Sequence, residues 1–397
     1  MGYWKIQADR LFDGEKMYTG PASPVLVGKP SGEIEALIPP GEAGDDVRRY
    51  EGLLCPGFVN THCHLELSHM AGVIPEGTGL VDFLLQVMGR RGEIAKDPLE
   101  AARQADRRMY EEGIVAIGDV SNNISTLPIK AASPLYYHTF VEVMGFLPAA
   151  ADARLAQARQ VYDAARRIMG QESASLVAHA PYSVSQPLFE ALNRATAAGI
   201  FSIHNQESEA EDQLYREGGG DFLRLYATLG QNLDFFSPTH QSSLATYLPW
   251  MTSPSTLLLV HNTVSTPGDV QLALALTRER NQSLYWCLCP GANLYIQRIL
   301  PPVALLRDQG CSITLGTDSL ASNHQLSILS EIKILQDNFP SVPLDEILRW
   351  ATLNGAKSLG LDRRFGRLIP GAQPGILLID GLENAKIGEN TRVRRLY

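Results

Sequence analysis

The chain has 397 residues, 45% of them hydrophobic and 19% charged, with a formal net charge of −9. It is too long for one small domain, and its balance is that of a core-forming chain rather than a disordered one. No block of Lys or Arg offers a nucleic-acid surface and no apolar stretch has the length of a membrane span, so the expected partner is a small molecule, with no nucleic acid and no membrane.

The opening Met1 to Ile6 has neither the basic nor the apolar region of a secretory signal and predicts a cytoplasmic protein. Residues 1–55 read as short strands broken by Gly and Pro. From Leu53 onward short apolar runs, most ending in polar residues, alternate with helical stretches. The runs are Leu53–His64, Ile114–Asp119, Tyr136–Val143, Ser175–His179, Phe201–His204, Thr256–His261, Ser283–Cys289 and Ser312–Asp318. This pattern predicts an α/β fold, a (β/α)8 TIM barrel over 56–362 with its active site at the C-terminal strand ends. Asp152–Met169 and Leu344–Leu359 carry helical spacing and are expected to cover the barrel wall. The tail 363–397 again reads as short strands, and together with 1–55 it predicts a small β-sandwich built from both chain ends. Glu207–Trp250 is long for a βα connection and predicts either a lid or a homodimer contact. Five cysteines (Cys55, Cys63, Cys287, Cys289, Cys311), without a zinc-finger spacing, are expected as reduced thiols.

Polar residues gather at the strand ends: His62, His64, Asp119, His179, His204, His261 and Asp318. Side chains alternate along a strand, so His62 and His64 project together while Cys63 turns away, and His204 and Asp318 reach the same mouth from the fifth and eighth runs. Three imidazoles and one carboxylate would hold one divalent metal ion with a net positive charge and leave room for a water. Zn2+ suits this nitrogen and oxygen set best, with Fe2+ and Mn2+ as alternatives, because availability can override intrinsic affinity. Such an ion lowers the pKa of its water to about 7, which makes a hydrolytic nucleophile at neutral pH. Any one of these histidines alone could be an ordinary hydrogen-bonded residue; the argument rests on their joint order. There is no His-Glu-x-x-His, no P-loop and no Gly-x-Ser-x-Gly elbow. His64-Leu65-Glu66 matches half of the cytidine-deaminase signature, but the Pro-Cys-x-x-Cys half is missing.

The segments Pro56–His64, His204-Asn-Gln-Glu207, Val260-His-Asn262 and Gly316-Thr-Asp-Ser319 resemble the amidohydrolase superfamily, and the likeness extends through Trp350–Gly360 and Gly366–Gly371. Gln373-Pro374-Gly375-Ile376 departs from it, standing where an Ala-Asp pair is usual. Glu207 three residues after His204, and the absence of any lysine in 171–200, are similar to the one-metal deaminase and chlorohydrolase branch. That resemblance implies hydrolytic deamination of an aromatic amidine such as an adenine ring. It further implies that Glu207 protonates the ring nitrogen while His261 and Asp318 hold and deprotonate the water. His62–Ser68 followed by Gly77–Phe83 looks most like the aminodeoxyfutalosine deaminases of an alternative menaquinone pathway. Glu66 would then contact the nucleoside, with His179 and Asn293 as further substrate contacts. The alternatives are an S-adenosylhomocysteine/methylthioadenosine or guanine deaminase, a chlorohydrolase on the same scaffold, and a non-enzymatic scaffold, against which the intact ligand set argues. A substrate carboxylate would want an Arg or Lys in the pocket, and the sequence alone places none.

Overall fold

The structure is a computed structural model that describes residues 2–92, 94–383 and 386–397. The apolar runs form parallel strands in chain order: β1 (Phe58–Cys63), β2 (Ile114–Ser121), β3 (Tyr136–Val143), β4 (Ala174–Ala178), β5 (Ile200–Asn205), β6 (Thr256–His261), β7 (Ser283–Leu288) and β8 (Ser312–Leu315). They make two four-stranded sheets, β1 to β4 and β5 to β8. Hydrogen bonds cross both gaps. The His204 amide donates to the His179 carbonyl at 2.9 Å, and the amides of Thr317 and Asp318 both donate to the His62 carbonyl, at 3.0 and 3.1 Å. The strands are apolar on both faces because helices cover one side and the opposite side packs inward.

The run Leu53–His64 is two strands rather than one. Arg48–Pro56 belongs to the terminal sheet and β1 starts at Phe58. A Cβ at Gly57 would lie 2.2 Å from Val115 Cγ1 and 2.8 Å from the Pro374 carbonyl oxygen, so the chain crosses between sheets where only a hydrogen fits.

Both chain ends contribute to one seven-stranded sheet, in which Ile376–Asp380 runs antiparallel to Arg48–Pro56. Alternation divides its residues. Leu54, Ile376 and Leu378 pack with Trp4, Ile6 and Leu11, whereas Leu53, Cys55, Leu377 and Ile379 join the main core. In place of the expected β-sandwich, the strands join in one hydrogen-bonded sheet: one face packs on the α/β body and the other gathers its apolar residues into a cluster of its own.

The helix expected over Asp152–Met169 spans Ala151–Met169. The stretch from Leu344 is interrupted by a π-turn over Trp350–Asn354, next to Gly355, where a Cβ would lie 2.8 Å from Val59 Cβ on β1. Five helices bear on the site: α1 (Leu80–Arg90), α2 (Leu127–Ala132), α3 (Glu209–Glu217), α4 (Phe222–Thr228) and α5 (Pro290–Gln297). All five cysteines are unpaired, four of them buried and Cys311 half-buried. Among the described residues no helix is long and apolar enough to cross a membrane.

Candidate active site

His62 near the end of β1, His64 just past it, His204 on β5 and Asp318 beyond β8 converge as a buried group. His62 Nε2 and His64 Nε2 are 3.1 Å apart, and His64 Nε2 and His204 Nε2 are 3.3 Å apart. Asp318 Oδ1 lies 3.3 Å from His64 Nε2 and 3.6 Å from His62 Nε2. Four ligands at zinc bond lengths of about 2.0–2.1 Å stand about 3.3–3.4 Å apart along the edges of a tetrahedron. The observed separations bracket that edge, so the donor set fits one divalent ion. His204 Nδ1 is 2.7 Å from the His179 carbonyl oxygen, which makes Nδ1 the protonated nitrogen and leaves Nε2 free to ligate. Beneath the cluster a Cβ at Gly316 would lie 2.8 Å from His62 Cβ, so only glycine permits this approach.

Burial sets the charges. It pushes His204 and His179 down to about 4, helped by neighbouring imidazoles, and holds His64 and His261 well below the ordinary histidine value. His64 and His204 are thus neutral at pH 7, as ligation requires. Burial alone would raise Asp318, but His62, His64 and His261 together hold its carboxyl well below the usual range. Glu207 moves the opposite way. Burial, and then the neighbouring carboxyls of Asp318 and Glu211, lift it well above an ordinary glutamate and favour its protonated form. Its Oε1 is 3.7 Å from His261 Nε2, and its carbonyl accepts a hydrogen bond from Gln297 Nε2 at 2.6 Å. His261 and Asp318 have left-handed backbone, at φ 73° and 57°, a strain of about 1–3 kcal/mol each that is typical of functional positions.

Behind Glu207 lies Glu211, in the first turn of α3, fully buried. Burial pushes its carboxyl up to about 8 against hydrogen bonds from Ser243 Oγ and the Gln206 amide, and its Oε2 has no partner. A carboxyl raised above its unfolded value binds an extra proton in the folded state. Its contribution to stability is full below the unfolded value of about 4.3 and is lost as pH rises through the folded one. Glu211→Gln mimics the protonated form, so its Tm should fall less than that of the native protein between about pH 6 and about pH 9. Equal slopes in thermal melts would remove this account.

The cluster forms the floor of a cavity of about 390 Å³. His64, His179, His204, Glu207, His261 and Asp318 line its polar end, and α1, Met144, Phe146 and α4 make its apolar walls. The segment Glu207–Trp250 therefore lines the pocket through Leu225, Tyr226 and Leu229. It is anchored by Tyr226 Oη, which donates to the Tyr182 carbonyl at 2.6 Å, and by an Arg224–Asp82 ion pair at 2.6 Å that ties α4 to α1.

Of the expected substrate contacts, His179 and Glu66 line the cavity and Asn293 does not. Asn293, on α5, is fully buried and does not line the cavity; its amide meets His261 Nδ1 at 3.2 Å from behind, leaving Nε2 the nitrogen that faces the site. Glu66 does line the cavity, but its two oxygens already accept from Arg91, from the Asn122 side chain and amide, and from Asn123, at 2.9 to 3.1 Å. Four donors fill a carboxylate's acceptor sites. Sequence reasoning missed Arg91 and Arg154, which line the same cavity, and Glu142 at the end of β3. For Glu142 there was a signal, a lone carboxylate inside a buried strand.

The sequence model of the Amidohydrolase family matches residues 53–394. An adenosine deaminase of Helicobacter pylori is 26% identical over 324 residues, covering 78% of this chain and 75% of that protein. An aminodeoxyfutalosine deaminase of Nitratiruptor sp. is 27% identical over 367 residues, covering 87% and 85%. Among solved structures, Helicobacter pylori aminofutalosine deaminase in complex with methylthio-coformycin superposes with a TM-score of 0.81 at 21% identity, covering 96% of this chain and 93% of that one.

Proposed function

Because the chain belongs to the Amidohydrolase family, matched over residues 53–394, we propose that it is a metal-dependent hydrolytic deaminase of an adenine-bearing nucleoside. Its favoured substrate is aminodeoxyfutalosine, converted to futalosine and ammonia, a step of menaquinone biosynthesis. We take residues 56–362 as a (β/α)8 barrel with the terminal sheet of 1–55 and 363–397 appended to it.

The observation that carries the reading is one cavity that brings the donor group, through His64, His204 and Asp318 with His62 beside them, to Glu207, a carboxyl raised above its ordinary value and set against His261. When bound, a divalent ion, Zn2+ foremost, lowers the pKa of a water to about 7. His261, through Nε2, and Asp318 hold that water on the amino-bearing carbon and take up its proton. Glu207 gives its proton to the adjacent ring nitrogen, so the ring accepts the added electron pair without becoming an anion. Asp318 then returns a proton to the amino group, which leaves as ammonia, while the added hydroxyl gives its proton to the Glu207 carboxylate as the carbonyl forms, restoring the acid. His179, kept neutral by burial, contacts the bound ring from the β4 side.

The preference for aminodeoxyfutalosine is supported by the far wall. Apolar residues of α1 and α4 suit an extended aromatic substituent, and Arg91 and Arg154 stand among them to meet its carboxylate. Glu66 holds Arg91 at 3.1 Å and so orients it, reaching the substrate through that guanidinium.

Ammonia release from metal-loaded protein tests the reading. Aminodeoxyfutalosine is expected to give the highest kcat/KM in a panel with adenosine, methylthioadenosine, S-adenosylhomocysteine and guanine. Turnover of guanine alone would remove the adenine class, and no ammonia from any member would remove deamination.

A further inference from the structure

Glu142 belongs to none of the roles above, yet it is buried in the wall of the same cavity. Its Oε2 accepts from Asn122 Nδ2 at 3.1 Å, and that same amide nitrogen donates to Glu66 Oε1 at 3.1 Å. Asn122 thus clamps two carboxylates side by side, but unequally. Glu66 has its acceptor sites filled by protein, whereas Glu142 Oε1 accepts no hydrogen bond and lies 3.8 Å from His204 Nδ1. That nitrogen is already committed to the His179 carbonyl at 2.7 Å.

Glu142, His179 and His204 lie close enough together to suggest a second metal site. The protonated Nδ1 of His204 excludes it, because the only other nitrogen of that ring already faces His64. Glu142 Oε1 is instead an acceptor that no described donor fills, on a side chain that lines the cavity, where a ligand's hydroxyl can reach it. It sits on the Nδ1 edge of the imidazole whose Nε2 edge faces the donor cluster, one ring's width from the reacting end. A nucleoside whose base is seated against Glu207 and His261 extends its sugar away from the reacting end, along the wall that carries Glu142.

Resting on the adenine-nucleoside reading, we propose that Glu142 Oε1 accepts a hydrogen bond from a sugar hydroxyl and sets a preference for ribonucleosides over deoxynucleosides. The test compares adenosine, 2′-deoxyadenosine and 3′-deoxyadenosine in the native protein, Glu142→Ala and Glu142→Gln, with metal content and thermal melting measured alongside. A hydrogen bond to a charged acceptor is worth about 10- to 100-fold in kcat/KM, so the native protein should favour adenosine by that factor over whichever analogue lacks the contacted hydroxyl. In E142A this ratio should collapse to about threefold or less, with metal retained. E142Q keeps an acceptor oxygen and should retain part of it.

The proposal fails if the native protein does not discriminate, if E142A slows all three nucleosides equally, or if it loses metal. Calorimetric binding of inosine and its two deoxy analogues reads the same ratio without turnover. Ribose-selective, Glu142-dependent binding without ammonia release would overturn deamination and leave this inference standing. Deamination without ribose selectivity would do the reverse, and absence of both binding and turnover would end both.

Discussion

Replacing Glu207 by glutamine is expected to lower kcat by about 10²- to 10⁴-fold, the range that a positioned general acid contributes, with little change in metal content. Glutamine has nearly the same shape and still reaches His261, but it has no proton to give. The ring nitrogen would then have to draw its proton from solvent, which the apolar walls of the cavity keep away. The proposed metal donors are His62, His64, His204 and Asp318, none of which Glu207 touches as a hydrogen-bond partner, so the metal should remain. The native carboxyl lies well above its ordinary value because burial and two neighbouring carboxylates disfavour its charge. Activity should therefore persist at a pH where an exposed glutamate would already be ionised. Metal loss from E207Q, or a kcat within about threefold of native, would remove Glu207 from the chemistry.

The donor cluster was legible in the sequence because two rules of unequal reach agree on it. Strand alternation puts His62 and His64 on one side, and parallel strands in consecutive order bring His204 and Asp318 to the same end. Neither rule depends on side-chain detail. What lies behind the donors was not legible, because it is decided by turns. Asn293 was expected to touch substrate, but the turn from β7 into α5 carries it behind His261. Arg91, just past the end of α1, meets Glu66 across 25 residues, a pairing with no periodic signature. Pro56-Gly57 could have divided the run Leu53–His64, since proline lacks a donor and glycine marks a close backbone approach; the need for that approach came from Val115 and Pro374, distant in sequence.

Lys130→Met is expected to destabilise the fold by about 3–5 kcal/mol, the usual consequence of stranding one partner of a buried ion pair. Lys130, on α2, and Asp119, on β2, are both fully buried, with Nζ 2.5 Å from Oδ2. The ammonium also donates to Ser121 Oγ at 2.7 Å and Thr139 Oγ1 at 3.3 Å. Burial already lifts the Asp119 carboxyl above its ordinary range, and the Lys130 charge is the main force opposing that rise. Without it Asp119 moves further up and takes a proton in the folded state. A folded value raised above the unfolded one gives stability that is present at low pH and lost as pH rises. The deficit of K130M should therefore be larger at about pH 8 than at about pH 5. Asp119 Oδ1 accepts the Leu65 amide at 2.7 Å, between His64 and Glu66, so the variant should also bind metal more weakly. Adding Asp119→Leu removes the stranded charge and should recover part of the stability but not the metal affinity, since the anchor for Leu65 is gone. Denaturant melts of the two variants at both pH values, with metal titrations alongside, decide the matter. A pH-independent deficit, or full recovery of metal binding in the double variant, would show that the pair does not hold the turn that carries His64.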